Sequence, residues 1–460
     1  MFPAQTYVDR RECLKAHFQD GLLLFLGNED SPMNYTDNAY PFRQDSTFLY
    51  YFGIDQPGYA AVIDLDQDRT IVFGHDLSIE DIVWTGSLPT VAELASAVGV
   101  QETAPASTLP AYLERAKGRP IRFLPPYRPE HRLKLAGVLG SHATELDALV
   151  SLDLVRAIIE MRVVKSAEEI SELEKAVDVS VDMHLAAMRM ARPGVKESEI
   201  AARLTEIALA SGGNLGYPNI VTIRGEILHN HSYGNTLQSG QMLLVDAGAE
   251  TAMRYTADLS STCPVDPTFT LRQKEVYQIV LNAHFAVVES LKPGIPFRDM
   301  HRLACRTIAE GLKDLGLMKG DLDEAVEQGA HALFFPCGVG HMMGLDVHDL
   351  ENMGEVWVGY EGQPKSTQFG LKSLRLARPL QPGFVLTVEP GIYFIPQLMD
   401  RWKAEGKFAE FIDYERLEAY RDFSGMRIEE NIVITDNGHR VLGKPRPRTI
   451  TEVEAAHYGQ

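Results

Sequence analysis

LQSGQMLLVDAG, at Leu237–Gly248, and LQPGFVLTVEPG, at Leu380–Gly391, are two versions of one pattern. Each reads Leu-Gln-x-Gly, then a β-prone apolar run, then a carboxylate six residues after the first glycine, then x-Gly. Asp246 and Glu389 are those carboxylates. The runs that carry them, Met242–Val245 and Phe384–Val388, are too apolar for solvated strands, so both acids are delivered into the interior. An isolated buried carboxylate is expensive unless it is paired or binds a metal. Two of them on related strands ask for a cation.

The sequence around these strands is duplicated. Arg192-Pro-Gly-Val and Glu199-Ile200 match Lys292-Pro-Gly-Ile and Asp299-Met300 at an offset of 100 residues, and His184 and Ala186 match His284 and Ala286 at the same offset. Each copy reads helix, Pro-Gly turn, second helix, and leads on to a carboxylate strand. Two αβ halves related by a pseudo-twofold follow, with the carboxylate strands meeting near the axis.

A second acid lies downstream of each first one. Asp258, in YTADLSST, stands 12 residues after Asp246, which suits a hairpin returning to the same depth. Glu429, in GMRIEENIVIT, follows Glu389 after a longer insertion and again enters an apolar strand. Between the sets runs FFPCGVGHMMGLDVHD, Phe334–Asp349, presenting His341 and His348. Four carboxylates and one imidazole make an oxygen-rich site suited to two divalent ions, Mn first, with Co or Zn as alternatives. Such a pair, ~3.5–4 Å apart, lowers the pKa of a shared water from ~15.7 toward neutrality and polarises a carbonyl.

At these residues the chain resembles the "pita-bread" metallopeptidases: aminopeptidase P, prolidase and, more distantly, methionine aminopeptidase. VDAG…ADLSST, GVGHMMGLDVHD, TVEPGIYF and RIEENIVIT carry the likeness, which spans essentially the whole chain. PFRQDSTFLYYFGI and DIVWTG resemble the creatinase-type N-terminal domain of Xaa-Pro peptidases. The resemblance implies an α/β (α+β) protein with a creatinase-like domain, residues 1–160, and a pseudo-twofold pita-bread catalytic domain, residues 161–460. It further implies Asp246, Asp258, His341, Glu389 and Glu429 as metal ligands, with Asp258 and Glu429 bridging and Glu389 as general base. His229, in EILHNH, and His348 become substrate-facing histidines, with a structural role as the alternative for each; for neighbouring His231 the structural role comes first. Arg427 becomes a partner of the carboxylates. Trp84 is a core aromatic by default, but the resemblance places it at a pocket, across a subunit interface. Two departures stand out. Cys337 replaces the family's usual histidine four residues before His341, and the Asp246–Asp258 interval is one residue longer, implying a longer turn or bulge at Glu250–Arg254.

The bulk properties are those of an ordinary globular protein. The 460 residues exceed the size of a single core, and 44 basic against 63 acidic residues give a net charge of −19, which disfavours nucleic acid and anionic membranes as partners. No signal or spanning segment is visible. Cys13, Cys263, Cys305 and Cys337 show no framework spacing, so reduced thiols and a cytoplasmic protein are expected. Leu22–Leu26, Ala60–Leu65 and Thr70–Phe73 read as strands, with a hairpin turn at Asp66-Gln67-Asp68, and Thr144–Met161 reads as helical. Ser166 with Glu169 forms a capping box that opens the catalytic region, so the domain boundary falls near Met161.

An Xaa-Pro bond lacks the amide N–H that most proteases grip. Its hydrolysis needs a proline-shaped pocket, a hold on the free N-terminus and a proton donor for the departing nitrogen, a role that suits His348. Arg375, 14 residues before Glu389, resembles the prolidase arginine that grips a dipeptide carboxylate. The alternative is an arginine salt-bridged within the helix-to-strand connection. The sequence therefore leans narrowly to an Xaa-Pro dipeptidase over an aminopeptidase P acting on longer peptides, as a homodimer or higher homo-oligomer. A catalytically inactive peptide-binding protein and a metal-free, creatinase-like hydrolase are the competing classes, and both are disfavoured by the complete ligand set.

Overall fold

The computed structural model describes residues 1–457. The chain divides into two compact units, Met1–Met161 and Arg162 onward.

The first unit is built on a mixed five-stranded sheet of β1 (Leu22–Leu26), β2 (Ala60–Asp64), β3 (Arg69–Gly74), β4 (Glu102–Pro105) and β5 (Ile121–Arg122), in the order β4-β3-β2-β1-β5. The β2–β3 connection is the expected Asp66–Asp68 turn, with Asp68 at φ 49° and the Gln67 amide donating to Asp64 Oδ1. Leu22, Leu24, Val62, Ile71 and Phe73 share one face and pack on Leu109, Leu113 and Leu135. Each such side chain contributes about 1.5–3 kcal/mol by burial. The stretch read as one helix over Thr144–Met161 is instead two, Leu146–Leu149 and Leu152–Val163. Ser151 breaks it: its amide donates to the Phe123 carbonyl and its hydroxyl accepts from the Phe123 amide, pinning the chain to the end of β5.

The second unit carries the duplication. Helices α1 (Ala167–Met190) and α2 (Glu197–Ala210) join through the Pro193-Gly194 turn, and α3 (Leu271–Ser290) and α4 (Phe297–Asp314) through Pro293-Gly294. The Ser166–Glu169 capping box opens α1 in both directions, and Thr270–Gln273 does the same for α3. The first half's sheet is β6 (Ile220–Thr222), β7 (Met242–Asp246) and β8 (Ser260–Pro264), with β7 central. The second half's sheet is β9 (Val385–Val388), β12 (Glu430–Thr435) and β13 (Gly438–Val441), with β12 central; β10 (Gly391–Tyr393) and β11 (Gly425–Arg427) form a separate ribbon. His184 and His284, the duplicated pair, are both fully buried on α1 and α3.

The register sets the acids at equal depth. Antiparallel pairing puts Ser260 opposite Asp246 and Glu430 opposite Val388. Asp258 and Glu429 thus sit just before their strands, beside Asp246 and Glu389 just at the ends of theirs. The halves are stitched together where Glu429 N donates to the Ser260 carbonyl at 3.1 Å and Thr262 Oγ1 donates to the Arg427 carbonyl at 3.1 Å. Between Asp246 and Asp258 the chain turns at Thr251–Arg254. The turn closes with an Arg254 N–Thr251 O bond of 2.8 Å and puts Arg254 at φ 69°. Among the described residues, no helix is long and apolar enough to cross a membrane.

Candidate active site

His341 reaches the acids because its loop runs along β9 as an extra strand. Met343 N donates to Val385 O, Thr387 N to His341 O and Glu389 N to Val339 O, at 2.8–3.0 Å. Gly340 allows the approach, since a Cβ there would lie 2.0 Å from the Thr387 carbonyl oxygen. The His341 Nδ1–H donates to the Met342 carbonyl at 2.9 Å, which fixes the tautomer and leaves the Nε2 lone pair facing the acids.

A cavity of about 470 Å³ is lined by Asp246, Asp258, His341, Glu389 and Glu429, and also by His229, Cys337, His348, Arg375 and Arg427. Donor atoms of Asp258, His341 and Glu429 converge within 4.8 Å of one another. Glu389 Oε1 lies 3.6 Å from His341 Nε2, and Asp258 Oδ2 lies 3.3 Å from it. Asp246 is turned to its neighbours: Arg427 Nη2 donates to Oδ2 at 2.5 Å and Tyr217 Oη to Oδ1 at 2.7 Å. Tyr217 Oη also lies 2.5 Å from Asp258 Oδ1, so one hydroxyl serves two acids.

The electrostatics favour cations here. Burial raises the carboxyls of Asp258, Glu389 and Glu429 well above the ordinary range. Repulsion adds to it, from Asp246 on Asp258, from Glu429 on Glu389 and from Asp258 on Glu429. Burial also lowers His341 to about 4, so its imidazole is neutral and offers an unprotonated nitrogen. Clustered, desolvated acids beside a neutral imidazole fit a pair of divalent ions. Arg427 locks the wall behind them, donating to Ser260 Oγ at 2.7 Å and Tyr393 Oη at 2.8 Å; Ser260 in turn donates to Glu429 Oε2 at 2.7 Å.

The remaining sequence candidates are placed as follows. His348 lines the cavity edge-on to His341, with ring centroids 4.3 Å apart, and its Nδ1 pairs with Glu351 Oε2 at 2.6 Å. His229 lies on the exposed rim, and His231 is exposed beside it. Arg375 Nε lies 3.4 Å from Glu355 Oε1 and 3.6 Å from Glu351 Oε2. Burial pushes the Cys337 thiol up to about 12, with Glu389 adding to the shift. Trp84 is 83% exposed on the Ile79–Thr85 helix, so the default reading of a core aromatic is wrong.

Sequence reasoning missed three features. Tyr217 and Arg446 carry no motif; Arg446 is buried and donates to the carbonyls of Ser260 and Glu429. Asp349, adjacent to His348, is buried between Arg162 and Lys165. The RVVKS run held both cations, but nothing local linked them to Asp349.

Fold and site together define a two-domain metallohydrolase with a dinuclear centre of acids and one histidine. The comparisons give the family. Metallopeptidase family M24 matches residues 171–436, and the aminopeptidase P N-terminal domain matches residues 7–121. The chain belongs to metallopeptidase family M24 and is a dinuclear-metal Xaa-Pro exopeptidase with the creatinase-like plus pita-bread architecture. It is 33% identical over 458 residues to a human Xaa-Pro dipeptidase, covering 95% of this chain and 89% of that one. It is 30% identical over 476 residues to a probable Xaa-Pro aminopeptidase of Aspergillus niger, covering 98% and 97%. Among solved structures, aminopeptidase P of Escherichia coli in complex with substrate is similar at TM-score 0.82 and 28% identity, covering 99% of this chain and 98% of that one. Proline aminopeptidase P II of Yersinia pestis is similar at 0.83 and 26%, covering 99% of each.

Proposed function

We propose that the protein is an Xaa-Pro aminopeptidase that releases the N-terminal residue from peptides with proline in second position and tolerates a continuing chain. This departs from the narrow lean to a dipeptidase. The observation that carries it is that Glu355 and Glu351 lie 3.4 and 3.6 Å from Arg375 Nε, two acids whose charge competes with a substrate carboxylate for the guanidinium. Likeness over the full length to solved aminopeptidases P supports the same reading. One observation favours the dipeptidase as a second reading: Arg375 lines the cavity, in a chain 33% identical to a human Xaa-Pro dipeptidase.

In this proposal Asp246, Asp258, His341, Glu389 and Glu429 hold two divalent ions, manganese first. The ions supply Lewis-acid polarisation of the scissile carbonyl and activation of water. The protein's own groups do the rest. Glu389, at the end of β9, accepts and passes on a proton as general base. His348, held by Glu351, gives the departing proline nitrogen its proton. His229 contacts substrate from the rim, and Arg427 fixes the orientation of Asp246. Trp84 works with a second copy of the chain: Ile79, Val83 and Trp84 are 74–83% exposed on one short helix, an apolar face that suits a homo-oligomer. Sedimentation of Val83→Asp tests that contact; an unchanged mass refutes it.

The decisive assay is manganese-supplemented hydrolysis of Ala-Pro against Ala-Pro-Ala-Ala at matched concentration, with a chelated control. Efficient release of alanine from the tetrapeptide is expected. Cleavage of the dipeptide alone sinks the proposal and restores Arg375 as a carboxylate clamp.

A further inference from the structure

A second cavity, of about 520 Å³, holds a different set of donors. His301 and Cys305 lie one turn apart on the buried face of α4, the spacing that stacks two side chains. Cys305 Sγ lies 3.5 Å from His301 Nε2. His331 enters from the 3-10 turn Ala330–Leu333, with its ring centroid 6.4 Å from that of His301. One donor atom from each residue lies within 4.8 Å of the others. The three residues are 1%, 1% and 3% exposed.

A satisfied core histidine would be the ordinary explanation, but these rings are not satisfied. His301 Nδ1 and both nitrogens of His331 are buried and complete no hydrogen bond. Leaving such groups unmade costs about 1–3 kcal/mol each. Burial also keeps both rings neutral, with His301 lowered to about 3 and His331 to about 4, the latter against a weak pull from the Val326 carbonyl. Neutral imidazoles with buried nitrogens left over, set against a thiol beside a cavity, offer donors to a cation.

We propose that His301, Cys305 and His331 form a further metal site, distinct from the dinuclear centre, that takes a thiophilic divalent cation, zinc foremost. An N₂S donor set selects zinc over manganese or magnesium, whereas the dinuclear site is rich in oxygen. The His301–Cys305 separation of 3.5 Å already approximates the edge of a zinc tetrahedron with Zn–S of about 2.3 Å and Zn–N of about 2.0 Å. His331 closes the remaining gap by rotamer adjustment. The fourth position of the tetrahedron is left to water from the cavity. Binding replaces the Cys305 S–H bond by a sulfur–metal bond and releases the proton to solvent; nothing is oxidised. The Phe335 ring lies 5.6 Å from that of His301, so an occupied site clamps α4 to the start of the loop that carries His341.

The test uses the full chain carrying Asp258→Asn and His341→Ala, which disables the oxygen-rich site, titrated with Co²⁺ alone. One equivalent is expected to bind with a near-ultraviolet thiolate-to-cobalt charge-transfer band. Zn²⁺ should displace it and Mn²⁺ should not. Adding Cys337→Ala should leave the band intact. Adding Cys305→Ser should abolish it, and His331→Gln should weaken cobalt binding at least about tenfold. Should the serine variant misfold by circular dichroism, the glutamine variant decides. Native mass spectrometry of the otherwise unmutated chain, zinc-loaded, should show one metal fewer after Cys305→Ser. A folded double variant with no thiolate band, or a band that follows Cys337, overturns the proposal. Because the band reports sulfur, neither outcome depends on the peptidase reading.

Discussion

Replacing Asp349 by asparagine should destabilise the catalytic unit more than any loss of a surface ion pair could. Asp349 accepts from Arg162 Nη2 at 2.7 Å and from Lys165 Nζ at 2.8 Å, with all three side chains no more than 2% exposed. The neutral amide leaves Lys165 buried without that counter-charge, and Arg162 with Asp346 at 3.3 Å as its remaining acid. Removing one partner of a buried pair costs about 3–5 kcal/mol, against ~0–1 for exposed pairs. With an unfolding entropy of about 2.1 cal/mol/K per residue over roughly 300 residues, that predicts a fall in Tm of roughly 5–8 °C. The pH dependence follows from the carboxyl. Burial would raise it, but Lys165 and then Arg162 hold it below the ordinary range. A depressed folded pKa stabilises above the unfolded value of about 3.9 and is lost as pH falls through the folded one. The gap between parent and variant, followed by thermal unfolding, should therefore be full at pH 7 and close in acid. Adding Lys165→Met to the variant should recover part of the loss, since one unpaired cation goes. A Tm within about 1 °C of the parent at pH 7 would refute the reasoning.

Two further outcomes follow from the site. Chelator-treated protein should fall further below the manganese-loaded protein in stability as pH rises from about 5 to 7.5, because carboxyls raised in the folded apoprotein keep protons that bound metal displaces. Thermal scans of the two forms check this, and a gap that narrows over the range contradicts the assignment. Arg375→Ala should leave kcat/KM for Ala-Pro-Ala-Ala within about threefold; a loss of about 10–150-fold confined to Ala-Pro would mark a carboxylate clamp worth ~1.5–3 kcal/mol.

The sequence by itself determined the elements whose signal is local. An apolar run that ends in an acid can only be a buried strand delivering a charge, and two such runs behind matching helix–turn–helix segments fixed the duplicated plan. Asp258 was legible from a spacing to Asp246 that suits a hairpin, and Glu429 because it enters an apolar strand. The Ser166–Glu169 cap marked the opening of α1 from three residues of spacing alone. Tertiary structure decided everything whose meaning lies in a distant partner. Ser151 looks like helix until Phe123 takes its amide and hydroxyl. Tyr217 is an unremarked tyrosine until it bridges Asp246 and Asp258, and Arg375 is a clamp or a salt bridge according to where Glu351 and Glu355 come to rest. His331 lies 26 residues beyond Cys305, outside any helical or metal-ligand spacing, and only the packing of a short turn against α4 brings them within reach. Periodicity and caps are written along the chain, whereas the neutralisation of a buried charge depends on which segments the fold closes around it.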